Sequence, residues 1–97
     1  MTPVEYHPLA EQELTAAALY YEERAAGLGA DFLTEIERTE SFLTQFPVAG
    51  RILSGGSRRV SLRRFPYYLI FRIDSDRLFI LAVAHHRRAP GYWQSRA

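Results

Sequence analysis

The stretch Leu78-Phe79-Ile80-Leu81-Ala82-Val83-Ala84-His85-His86-Arg87-Arg88-Ala89-Pro90-Gly91-Tyr92-Trp93 decides how the rest of the chain is read. Its first seven residues are apolar without a break. A run of that length ahead of a Pro-Gly pair predicts a strand buried on both faces, and it is too short to span a membrane. The strand then ends in two histidines, two arginines, a turn and two large aromatics. Two readings of that tip are open. Either a rigid strand presents polar and cationic groups for function, or it exits into solvent and the arginines form a solubilising tail. On residue types alone the two carry equal weight.

Upstream, residues 58–64 alternate Val60 and Leu62 against Arg59, Ser61 and Arg63, the pattern of a half-buried antiparallel strand. Phe65-Pro66 makes a tight connection. Residues 67–74 put Leu69, Phe71 and Ile73 on one face and Tyr68, Ile70 and Arg72 on the other. Asp74-Ser75-Asp76 is a hairpin loop leading into the strand of residues 77–84. Loops this short require an antiparallel meander. Before it, Pro47-Val48-Ala49-Gly50 is a turn and Arg51-Ile52-Leu53 a short extended piece. Ser54-Gly55-Gly56-Ser57 is a flexible link without the Lys-Ser/Thr ending of a phosphate loop.

The first half is helical in pattern. Val4-Glu5-Tyr6-His7 reads as a short strand, and Pro8 suits a first helical turn, with Glu11 and Glu13 at its positive end. Leu14, Ala17, Ala18, Tyr21 and Ala25 then recur at helical spacing. Gly27 and Gly29 end that helix and form a short connection. A second helix is expected over residues 31–46, with Phe32, Ile36, Thr39, Leu43 and Phe46 as its buried stripe and Glu35, Glu37, Arg38 and Glu40 mostly solvated. Pro47 stops it. The order strand, two helices, three strands argues for an α+β fold with an antiparallel helix pair on one face of a C-terminal antiparallel sheet.

The 97 residues make one domain, 1–97, able to bury a modest core. There is no cysteine, hence no disulfide and no thiol nucleophile. No signal peptide is evident at the N-terminus, so a cytoplasmic location without membrane attachment is the expectation. The net charge of +1 hides a division. Residues 1–50 carry nine acids against two arginines, −7, whereas residues 51–97 carry ten arginines against two aspartates, +8. Such asymmetry points to a polyanionic partner or to two halves that face each other.

On the sheet face away from the helices, alternation places Arg59, Arg63 and Arg72 beside Tyr68 and Ile70. If Leu78 and Ile80 face the helices, Phe79, Leu81 and Val83 add apolar area there. Apolar area ringed by arginine is a partner-binding surface, unless Tyr92 and Trp93 fold back to cover it; both can hold at once. His85 and His86 do not share a metal ion, because adjacent strand residues point to opposite faces, and no cofactor is expected.

Several blocks together resemble the RelE/ParE superfamily of bacterial toxins: Tyr20-Tyr21, Ala30-Asp31-Phe32, Pro47-Val48-Ala49-Gly50, Arg63-Arg64-Phe65-Pro66-Tyr67, and residues 83–93 from Val83 to Trp93. The resemblance covers nearly the whole chain. It implies the toxin of a type II toxin–antitoxin, or plasmid stabilisation, system, bound by a cognate antitoxin from the same operon in a hetero-oligomer. Two activities occur in the superfamily. One branch blocks DNA gyrase; the other is a metal-independent endoribonuclease that cuts mRNA on the ribosome. Metal-free cleavage needs a base, cations at the phosphate and a donor for the leaving oxygen. Against the nuclease pattern, Arg59 and Arg87 keep their charge, but Tyr68 stands where an arginine is expected, Ser61 replaces a basic residue, and the terminal tyrosine falls near Tyr92 or Trp93, of which Trp93 could not donate a proton. The resemblance therefore implies a binding inhibitor of gyrase of the ParE type. Arg59, Arg63, Arg87, Arg88, Tyr92 and Trp93 would meet the target, and Tyr68, Ile70, Arg72, Phe79 and Leu81 the antitoxin. No catalytic residue is assigned. The alternatives are the nuclease, with Arg59, His85, Arg87 and Tyr92 as a rearranged set, and a catalytically inactive nucleic-acid-binding member.

Overall fold

The computed structural model describes residues 2–96. Strand β1 (Val4–Tyr6) leads into helices α1 (Pro8–Arg24) and α2 (Leu28–Gln45), followed by strands β2 (Arg51–Ile52), β3 (Arg58–Ser61), β4 (Tyr67–Asp74) and β5 (Arg77–His85). The five strands form one sheet in the order β1-β5-β4-β3-β2. The meander of β3, β4 and β5 is antiparallel as expected. Strand β1 adds to the far side of β5 in parallel, Tyr6 opposite Ile80, so the sheet is mixed.

Each helix boundary has a local cause. Pro8 occupies the first turn of α1, and the ring of His7 caps it by accepting the Leu9 N–H at 3.1 Å. The corner between the helices turns on Gly27, at φ 87°. There the Glu22 carboxylate accepts the N–H groups of Gly27 and Gly29, each at 3.0 Å. Helix α2 begins at Leu28, earlier than the predicted residue 31, and Gly29 lies inside it, not in the connection. The reason is close packing: a Cβ at Gly29 would sit 2.6 Å from the carbonyl oxygen of Ala18. Glycine lets the two helices touch backbone to backbone.

The main core lies between the helices and the sheet. Phe32, Ile36 and Leu43 from α2 meet Leu69, Phe71, Leu78, Ile80 and Val83. Leu14 and Tyr21 pack against them, half-buried. Tyr21, Phe32, Phe65 and Tyr67 form an aromatic cluster with centroids 4.8–5.4 Å apart in four of its pairs. Phe46, expected in the stripe, is 53% exposed, because α2 ends at Gln45 and the chain turns away at Pro47.

Two corrections concern the strands. Strand β3 stops at Ser61, three residues short of the expected end. Beyond it, the N–H groups of Arg63 and Arg64 turn to the Glu35 carboxylate, while Leu62 N–H bonds Tyr67 O at 2.9 Å. The second is a bulge in β5. Ile70 pairs with Ala82 but Phe71 with Ile80, leaving Leu81 as the extra residue. A bulge slips the alternation of faces. Val83 therefore joins the helix-side core and not the second face, where strict alternation puts it; Leu81, Ala82 and Ala84 occupy that second face.

Leu43 and Phe71 are fully buried. Replacing either with alanine is expected to cost about 2–5 kcal/mol in urea unfolding. Gly29→Ala, which must push α1 and α2 apart, is expected to cost about 1–3 kcal/mol.

A basic cleft on the second sheet face

The second face is not left open. Trp93, only 8% exposed, folds back onto Ile70, Phe79, Leu81, Ala82 and Ala84. A single carboxylate in α1 fastens this return. Glu13 accepts both η nitrogens of Arg96, at 3.0 and 2.9 Å, the Tyr92 hydroxyl at 2.8 Å and the Val83 N–H at 3.0 Å. Arg96 also donates to the Leu81 carbonyl at 2.9 Å. Burial alone would raise the Glu13 carboxyl, but the Arg96, Val83 and Tyr92 donors outweigh it and hold it below the usual carboxylate range. Burial and the neighbouring Glu13 push the Tyr92 hydroxyl well above its ordinary value. Sequence spacing placed Glu13 as one more acid in a first turn; nothing local shows that a segment some eighty residues away will meet it.

Between the sheet and the returning segment lies a cleft of about 330 Å³. A group of planar side chains borders it. The Arg59 guanidinium lies 4.5 Å from the Tyr68 ring centroid, and the His86 ring 4.3 Å from the same centroid. His86 Nε2 and Ser61 Oγ are 3.2 Å apart, within hydrogen-bonding distance. Arg88 lines the same cleft, its guanidinium 3.8 Å from the Tyr92 ring centroid. Among the described residues, none that lines the cleft is acidic. The sequence reading missed His86 as a site residue; its pairing with Tyr68 follows from the bulge, which no residue pattern announces.

The expected site residues separate as follows. Arg59, His85, Arg88, Tyr92 and Trp93 all border the cleft, and Arg87 stands exposed on the turn beside it. Arg63 does not join them. It lies in a groove with Arg38, Phe42 and Val60, beside α2. Tyr92 is tied to Glu13 and Trp93 is packed into the second core. Of the residues expected to meet an antitoxin, Ile70, Phe79 and Leu81 are 3%, 7% and 2% exposed. Tyr68 and Arg72 are half-buried, and the Arg72 guanidinium lies over Phe79 at 5.1 Å. His85 turns to the helix side against Tyr67, centroids 5.1 Å apart, and its Nδ1 accepts the Arg87 N–H. The two histidines thus lie on opposite faces, as their adjacency requires.

Part of the charge asymmetry is resolved internally. Arg64 pairs with Asp31, Arg77 with Glu5 and Arg96 with Glu13. Arg59, Arg87 and Arg88 have no ion-pair partner among the described residues. The arrangement defines an α+β protein whose second sheet face carries a basic, acid-free cleft. Residues 4–90 match the family described as the ParE toxin of the type II toxin–antitoxin system parDE. The chain belongs to that family. Its fold is similar to a solved structure described as the chromosomal ParDE TA system from P. aeruginosa, with a TM-score of 0.74 and 23% identity over 88% of this chain and 96% of that one. A 75-residue segment is also 33% identical to a tRNA U34 carboxymethyltransferase of Proteus mirabilis (strain HI4320), covering 73% of this chain and 22% of that enzyme. The chain thus spans about a fifth of the length of that relative. Among the described residues, no helix is long and apolar enough to cross a membrane.

Trp93→Ala is expected to cost about 3–5 kcal/mol of folding stability, the range for emptying a buried aromatic site. Thermal unfolding checks this, with Arg87→Ala as an exposed comparison that leaves the melting temperature unchanged. The pH dependence of Glu13 has a definite sign. Its folded-state pKa lies below the ordinary 4.5, so its contribution is complete above that value and fades as pH falls through the folded pKa. Glu40 works oppositely: burial raises its carboxyl, the Tyr6 hydroxyl bond opposes this, and Glu37 adds to it. Its contribution therefore favours acid and is lost as pH rises. Glu13→Gln is expected to cost about 1–3 kcal/mol at pH 7. The gap from wild type should narrow below pH 4.5 in urea titrations; a constant gap would assign the titration elsewhere.

Proposed function

We propose that this ParE-family protein acts as a binding inhibitor of DNA gyrase in the cytoplasm and is neutralised by a cognate antitoxin encoded beside it. The supporting observation is that the groups metal-free RNA cleavage would need are engaged by neighbouring side chains. Arg59, His85 and Tyr92 all border the cleft, with Arg87 on the turn beside it, but three of the four are engaged by neighbouring groups. His85 faces the helices, Tyr92 is held by Glu13 with its hydroxyl pKa raised, and Arg59 lies against the Tyr68 ring. A tyrosine that holds its proton this firmly is a poor acid. Binding makes no such demand: it needs anchored arginine and aromatic groups at a surface, the residues that dominate interface energetics.

In this reading the target meets Arg59, Arg87 and Arg88 at the tip of β5. An acidic segment of the antitoxin meets Arg72 and Tyr68 first, and it reaches Ile70, Phe79 and Leu81 only where it displaces what covers them. Arg63 belongs to the separate groove beside α2.

Purified protein should be run side by side on gyrase supercoiling and on translating ribosomes. Inhibited supercoiling with intact mRNA is expected. Arg87→Ala and Arg88→Ala should each weaken inhibition about tenfold or more without loss of fold, a loss of roughly 1.4 kcal/mol or more. A-site mRNA cleavage with unaffected gyrase would replace this reading by the nuclease.

A further inference from the structure

The groove beside α2 lies outside the surfaces assigned above to target and antitoxin. We infer that it takes an extended segment of a partner protein, added as a short strand to the open edge of β3 and carrying an apolar side chain flanked by carboxylates. The backbone gives the first observation. Leu62 N–H donates to Tyr67 O at 2.9 Å, so Leu62 faces β4. Ser57 O accepts the Leu53 N–H at 2.8 Å, so Ser57 faces the opposite way. Alternation along β3 then turns the N–H and C=O of Arg59 and Ser61 outward as well. Arg51 lies opposite Arg59, and β2 begins there. Ser61, an exposed residue, is left past the end of β2, which supplies no partner for it. An open strand edge of this kind is a template for strand addition. The Ser61 side chain does not block it, since Oγ points to the second face, 3.2 Å from His86 Nε2.

The walls of the groove, about 600 Å³ in volume, supply the side-chain chemistry. Phe42 from α2 and Val60 from β3 both line it. Phe42 is 46% exposed and lies beside the exposed Phe46, ring centroids 5.2 Å apart. Arg38 and Arg63 line the groove too and have no ion-pair partner among the described residues. The acid of the lining, Glu35, is already occupied by the N–H groups of Arg63 and Arg64. The open charge is therefore positive, and a complementary segment is acidic. A helix laid in the groove would cover the apolar part but leave the Ser61 backbone groups without a strand partner. A second copy of the chain would bring these same arginines against each other, like charge against like. An extended acidic segment meets every group: its main chain pairs with Ser61, and alternate side chains on one face reach Phe42, Val60 and the arginines.

The probe is a short labelled serine peptide with a central leucine and a glutamate two residues to either side of it. It is titrated into the purified full chain at low salt and followed by anisotropy and by backbone amide NMR. Saturable binding below about 1 mM is expected, with the Ser61 and Arg63 amide signals moving and Ser61 gaining protection from hydrogen exchange. A copy N-methylated at its three central residues keeps every side chain but cannot form the ladder, and should bind at least about tenfold more weakly. Phe42→Ala, a truncation outside the core, should weaken binding about tenfold. Arg38→Gln and Arg63→Gln should each weaken it about threefold, a loss that shrinks as salt is added. Arg24→Gln, an equal charge loss on α1, should change affinity less than about twofold. The inference is overturned if the N-methylated copy binds as well, if serine in place of the leucine makes no difference, or if Arg24→Gln matches Arg63→Gln. Absence of binding at millimolar peptide overturns it, as do signal changes confined to Arg59 and Arg88. Changes at Phe42 without protection at Ser61 would replace the strand by a helix. A concentration-dependent dimer abolished by Phe42→Ala would replace the partner by a second copy. Gyrase inhibition, present or absent, alters none of these readouts.

Discussion

Strand β5 is buried along most of its length, yet its outer edge has a strand partner only as far as β1 extends. The last backbone link there is His7 N–H to Ile80 O, at 2.9 Å. Beyond it, the edge would present unpaired backbone groups, which are costly when buried and adhesive when exposed. Side chains replace the missing strand. Glu13 takes the Val83 N–H and Arg96 covers the Leu81 carbonyl, and the two are joined in a bidentate pair. The same pair brings the chain end back over the second face, so edge, C-terminal return and cleft depend on one carboxylate. Charge-assisted bonds of this kind are stronger than neutral ones and are fixed in direction.

The cleft follows from that closure. With Trp93 seated in the second core, the residues that remain accessible beside it are the polar and planar ones: Arg59 and Tyr68 of the sheet and His86 of the turn after β5. The apolar residues around Ile70 that would otherwise form a broad sticky surface become interior. What the face offers a partner is therefore a small cationic recess bordered by two tilted rings, together with the arginines on the turn after β5. The recess is suited to binding through charge and planar groups.

Much of the fold was legible because its elements are strongly periodic and short loops restrict how they connect. The unbroken apolar run from Leu78 to Ala84 could only be a buried strand, and the Phe32–Ile36–Leu43 spacing only a helix face. Other features were hidden for physical reasons. The parallel pairing of β1 with β5 joins residues more than seventy positions apart, and three residues carry too little pattern to choose a neighbour. The bulge at Leu81 changes which face Val83 occupies without altering composition. Gly29 looks like a helix stop until the helix beside it is known. The candidate site was legible in its arginines, whose type and clustering show in the sequence. Trp93 was read both as a target-binding anchor and as a residue able to fold back over the sheet, and the second holds; the sequence did not reveal that Arg96, three residues on, would be pinned to α1.

The helices carry exposed acids without ion-pair partners among the described residues, including Glu11, Glu23 and Glu37, whereas Arg59, Arg87 and Arg88 lie around the opposite sheet face. With a net charge of only +1, the molecule has almost no monopole, and these unpaired charges of opposite sign lie on its two sides. A polyanion or an acidic protein surface would then turn it before contact, cleft first, over distances set by the Debye length of about 8 Å at physiological ionic strength. Such orientation acts on the rate of encounter and is removed by added salt, while the lifetime of a formed complex is governed by the short-range contacts within the cleft.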